Sequence, residues 1–108
     1  MDPDLPDLSI ADVVVSTAGR DAGKLFYVID ADESYLTLAN GKDRVLEKPK
    51  QKKRKHAQKV LRSETRVAQA IKAGDKVLNS ELRRDLAEIG QVLQSNANGG
   101  YELWQKTT

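Results

Sequence analysis

The sequence predicts an α+β fold: a small β-barrel over about residues 9–49, then a basic segment, then one or two helices. Three observations predict it. Short apolar runs separated by turn residues fill residues 10–47. Residues 48–59 have no apolar period at all. Beyond residue 60 the apolar residues recur at spacings of three and four, the period of a helix. The chain has 108 residues, enough for one modest core and an appendage.

The lead contains Pro3 and Pro6, which donate no backbone hydrogen bond, so an extended arm is expected there. Ile10 to Ser16 holds the β-branched run Val13-Val14-Val15, and Lys24 to Asp30 reads Lys-Leu-Phe-Tyr-Val-Ile-Asp. Both runs are apolar on both faces, which suits strands of a tightly curved sheet better than a sheet with a wet side. Gly19 and Gly23 lie between them and allow a tight or bulged loop. Asp30 to Ser34 is a polar turn, and Tyr35 to Ala39 alternates as a third strand. Asn40-Gly41 signals a two-residue hairpin, with Asp43 to Glu47 as the returning strand. Phe26, Tyr27 and Tyr35 are read as core.

Pro49 ends any strand pairing that reaches it. The segment after it is expected to run unpaired over the surface. In the helical part, Ser63 is the expected N-cap and Gly74 the C-cap of a first helix. Asn79 or Ser80 opens a second, which Gly90 is expected to end early. Leu82, Leu86, Ile89 and Leu93 form its apolar stripe. The stripe needs burial, on the barrel or on a partner. The expected organisation is a flexible arm over 1–8, the barrel with its basic extension over 9–59, a helical appendage over 60–94 and a flexible tail over 95–108. Residues 1–60 are expected to fold without the helices.

Composition excludes several functions. There is no cysteine, so disulfides, thiolate metal sites and cysteine nucleophiles are ruled out. The one histidine, His56, lies among cations with no adjoining carboxylate to orient it as a base. One histidine is too few for a zinc site. Asp30, Asp32 and Glu33 lack the calcium-loop pattern and read as a solvated turn. The Gly19–Gly23 loop is not a nucleotide-binding loop: its glycines are too close, and Leu25 follows Lys24. A non-enzyme without metal, cofactor or small-molecule substrate is expected. Met1-Asp2-Pro3-Asp4 lacks the basic start of a signal peptide, and no apolar run approaches the ~20 residues of a membrane span. A soluble cytoplasmic protein is expected.

Charge is the strongest signal. Between Lys42 and Arg62 lie ten basic residues and two acids, a net +8, whereas the rest of the chain carries −6. Lys48, Lys50, Lys52, Lys53, Arg54, Lys55 and Lys59 have no acid between them. Such a block repels itself, and phosphates relieve the repulsion as counterions leave. A solvated face and a nuclear-localisation signal are the alternatives.

Val13-Val14-Val15-Ser16-Thr17-Ala18-Gly19-Arg20-Asp21-Ala22-Gly23-Lys24, followed by Phe26-Tyr27-Val28-Ile29-Asp30, resembles the KOW motif. It is similar in particular to the version in archaeal and eukaryotic large-subunit ribosomal proteins of the fourteen-e type, and in stand-alone bacterial KOW-domain proteins. A basic run closing on a histidine, here Arg54-Lys55-His56, belongs to that pattern. After His56 this chain departs from it, with Ala57-Gln58-Lys59 in place of an apolar residue and a proline. The resemblance covers about residues 10–59. It implies an SH3-like barrel that binds structured RNA, often ribosomal, in translation.

The expected RNA-binding residues are Arg20 and Lys24 on the glycine loop, and Lys48, Lys50, Lys52, Lys53, Arg54, Lys55, His56 and Lys59 along the basic run. The partner expected is RNA, ribosomal RNA or the ribosome itself, and no membrane. Replacing Lys52, Lys53, Arg54 and Lys55 together is expected to leave folding almost unchanged. The rival reading is a protein-interaction module that uses the barrel and the Leu82–Leu93 stripe.

Overall fold

A computed structural model describes residues 8–95. The expected tail beyond Ser95, and all of the expected arm except Leu8, lie outside the described residues. Five strands and two helices follow one another: β1 (Asp12–Ser16), β2 (Leu25–Ala31), β3 (Tyr35–Ala39), β4 (Lys50–Lys53), β5 (Ala57–Arg62), α1 (Arg66–Ala73) and α2 (Asn79–Ser95). One turn of 3-10 helix, Arg54–His56, separates β4 from β5. The strands form one antiparallel sheet in the order β4-β3-β2-β1-β5. No ladder joins β4 to β5, so the sheet is not a closed barrel.

The sheet nevertheless curls. Its two edge strands are consecutive in the chain and only three residues apart, so the edges must approach one another. Register shifts between Val13 and Val14 against β5, and between Val28 and Asp30 against β3, bend the strands that carry them.

Both faces of β1 and β2 are buried, as their doubly apolar runs require. Val14, Phe26, Val28, Leu36, Leu38 and Ala57 form one cluster that contains no helical residue. Strands of the same sheet therefore cover it. Leu8 belongs to this cluster and is 4% exposed, so the chain is already packed where a flexible arm was expected. Val13, Tyr27 and Ala39 face the other way, against Val67, Ala68, Leu82 and Leu86 of the helices. Burying a leucine contributes roughly 1.5–3 kcal/mol, so Leu82 and Leu86 hold α2 firmly to the sheet. A polar cluster adds to this seam. The Tyr27 hydroxyl donates to Asp85 Oδ2 at 2.7 Å and contacts Ser63 Oγ at 2.8 Å. Burial is the main cause that raises the Tyr27 pKa above the ordinary tyrosine value, with Asp85 adding to it.

Several expectations are corrected by these contacts. The basic segment is not an unpaired surface strip: β4 pairs with β3, and β5 pairs with β1. The boundary expected between residues 59 and 60 falls inside β5. Asn40-Gly41 does not close a two-residue hairpin, and Asp43 to Glu47 is not a strand. The Asn40 side chain instead accepts from the backbone of Lys42 and Arg44, organising a wider loop. Gly41, at φ +77°, packs against the Asn79 backbone where a Cβ would collide. Thr65, not Ser63, caps α1 through Ala68 N, while Gly74 ends it as expected at φ +75°. Gly90 does not end α2; it faces Leu25 within the helix.

Candidate nucleic-acid interface

The glycine loop between β1 and β2 turns on Gly19 (φ +78°) and Gly23 (φ +88°). Gly23 N donates to Ser16 O at 2.8 Å and closes it. Three long-range contacts then fix the loop. Lys52 Nζ donates to Ala18 O at 2.8 Å, Thr17 N donates to His56 O at 2.9 Å, and Arg44 pairs with the buried Asp21 at 3.2 Å. Arg20 sits at the loop's exposed tip, with no ion pair among the described residues. Tertiary structure thus brings the loop that carries Arg20 against Lys52 and His56 of the basic run, more than 30 positions later in sequence.

The basic run itself divides into two kinds of residue. Lys52 is 8% exposed and lies opposite Leu36 in the β3–β4 ladder. Its ammonium serves the Ala18 carbonyl. Arg54 donates from Nε to Asp32 O at 2.7 Å and from its terminal nitrogen to Leu8 O at 3.1 Å. Lys59 pairs at 3.3 Å with Asp12, which is almost fully buried. These three cations are bound to the protein. Lys48, Lys53 and Lys55 are exposed, and Lys50 and His56 are half-buried, without ion pairs among the described residues. Lys24 is exposed and meets Asp43 at 3.1 Å, which holds the Asp43 carboxyl below the usual carboxylate range.

Two clefts flank these residues. One, of about 400 Å³, is lined by Glu33, Ser34, Tyr35, Lys53, Arg54 and Lys55. The other, of about 450 Å³, sets Lys24, Lys42 and Arg83 around Leu25, Leu86 and Ala87. Tyr35, Lys42 and Arg83 were not among the expected site residues. Phe26 and Tyr27 are fully buried as expected, whereas Tyr35 is 39% exposed. The period-two pattern of β3 carried that signal: Leu36 and Leu38 point into the core, so Tyr35 must point out. Arg83 was hidden in sequence because it sits on α2, outside the basic run.

Among the described residues no group of three histidine, aspartate or glutamate side chains is placed to hold a metal ion, and no helix is long and apolar enough to cross a membrane. No family model matches the chain, and no curated protein matches it.

Proposed function

We propose that this protein binds RNA, without catalysis, through β4, the 3-10 turn and the Arg20 loop. One observation carries the reading. Along the edge of the sheet and the turn that follows it, Lys52 and Arg54 are bound to the protein and fix the backbone, while Lys53 and Lys55, which alternate with them, stand in solvent. Cations held at fixed spacing on a strand end and the turn after it, beside a loop that presents Arg20, suit a phosphate backbone. Lysines on an edge strand also discourage sheets from pairing, but that role would not require Lys55 or Arg20, which lie off β4.

The fold side of the proposal is an SH3-like KOW domain whose sheet curls without closing. The curl of the sheet and the short turn between its edge strands support it, as does the resemblance of residues 10–59 to that motif. The same resemblance directs the proposal to structured, ribosomal RNA and to translation in the cytoplasm. The protein-interaction alternative is less favoured, because α2 spends Leu82 and Leu86 on the sheet. Sedimentation of extracts with and without nuclease tests the proposal. Co-sedimentation with ribosomal particles that nuclease abolishes is the expected result. A complex that survives nuclease treatment would favour a protein partner instead.

A further inference from the structure

We propose that Tyr35 is a stacking platform for an unpaired base of the bound RNA, with Lys53 and Lys55 holding the phosphates on either side; this rests on the RNA-binding reading above. Tyr35 is the first residue of β3 and the one exposed aromatic among the described residues. Tyr35 lines the 400 Å³ cleft together with Lys53 and Lys55. Lys53 is its direct cross-strand partner.

The position is rigid although it is exposed. Tyr35 N donates to Asp32 Oδ1 at 2.8 Å, and Asp32 N donates back to Tyr35 O at 2.9 Å. Ser34 N also donates to Asp32, and Ser34 O accepts from Arg54 N at 3.0 Å. The Arg54 side chain ties the same turn to the segment before β1. A base that stacks here meets a ring whose backbone is already ordered, so binding costs little conformational entropy.

The chemistry of the cleft matches a nucleotide. A flat aromatic face takes any base, because every base has a π-face. The Arg54 guanidinium is engaged by two carbonyls, so the free cations are the two lysines. Glu33 lines the cleft as well and repels phosphate. The backbone must therefore pass on the Lys53 and Lys55 side of the cleft. A duplex cannot use the ring, since its bases are already stacked within the helix.

The test uses the full chain and four forms: wild type, Tyr35→Phe, Tyr35→Leu, and Lys53→Gln with Lys55→Gln. The probes are a short single-stranded RNA carrying a fluorescent adenine analogue and an RNA duplex of equal length. Stacking on an aromatic side chain is worth ~1–3 kcal/mol per base, so Tyr35→Leu should weaken single-strand binding by roughly 5- to 150-fold. Tyr35→Phe should bind as wild type does and keep the fluorescence quenching that Tyr35→Leu loses. Duplex affinity should be the same in wild type and both Tyr35 variants. An unchanged single-strand affinity in Tyr35→Leu, with weakening in the double lysine variant, overturns the stacking role and leaves RNA binding intact. Equal losses for single strand and duplex in Tyr35→Leu overturn it too, since they indicate a disturbed fold. Wild type without salt-dependent affinity for either probe overturns RNA binding itself.

Discussion

The alternation along β4 makes Lys52 separable from its neighbours, and the difference has a size. Lys52→Met keeps the aliphatic stem but removes the ammonium that serves Ala18 O at 2.8 Å. Leaving a part-buried carbonyl without its donor costs ~1–3 kcal/mol. In a domain of this size each kcal/mol lowers Tm by roughly 4–8 °C, so a fall of about 4 to 24 °C is expected. The Lys52 ammonium is too buried to reach a phosphate, so the slope of log affinity against log salt should stay as in wild type. Lys53→Gln with Lys55→Gln should do the reverse. Exposed substitutions of this kind change stability by about 0.5 kcal/mol or less. Each phosphate contact on single-stranded RNA contributes about 0.7 to the slope, so losing two should flatten it by ~1.4. Between 50 and 200 mM salt, wild type would then lose about seven-fold more affinity than the double variant. Thermal melts and binding isotherms at several salt concentrations, below the lowest Tm, measure both quantities. If Lys52→Met flattens the slope as much as the double variant does, the division between anchoring and presenting lysines is wrong.

Three further outcomes are expected. Arg20→Ala should weaken RNA binding at an almost unchanged Tm, because the loop is held by Gly23, Lys52 and Arg44 and not by Arg20; a large fall in Tm with full affinity would make Arg20 a structural residue. A fragment ending at Arg62 should lose its cooperative melt, since Val13, Tyr27 and Ala39 lose the cover of α1 and α2; a sharp sigmoidal transition in that fragment would refute the packing argument. The Asp32 carboxyl is held below the usual carboxylate range, chiefly by the Tyr35 N–H and then by the Ser34 N–H. A depressed folded-state pKa stabilises the turn at neutral pH and loses that effect as pH falls through the folded value. Protection factors of the Ser34 and Tyr35 amides, with the intrinsic pH dependence of exchange divided out, should therefore fall only in acid below the ordinary aspartate range, and Asp32→Asn should abolish that fall.

Local pattern made much of the fold legible. Val13 to Val15, Leu25 to Asp30 and Tyr35 to Ala39 are strands because β-branched and aromatic residues recur there at strand spacing, and Gly74 caps α1 because only its backbone accepts the left-handed turn cheaply. The stripe of α2 likewise announced a buried face. The basic run announced that cations concentrate between Lys42 and Arg62, but not what each cation does.

What the sequence determined by itself was therefore the doubly apolar strands, the helical period beyond residue 60 and the location of the charge block, all properties set within a few residues of chain. Tertiary structure decided the rest. Lys50–Lys53 is a strand because β3 offers it a ladder, not because Lys-Gln-Lys-Lys favours one. The Asn40 turn widens because Asn79, 39 residues later, packs on Gly41 and binds Leu46 N through its side chain. Lys52 and Lys53 are chemically the same residue, and alternate strand faces send one to the Ala18 carbonyl and leave the other in water. Partners that lie tens of residues apart in sequence leave no periodicity to read, so these assignments exist only once the chain has folded.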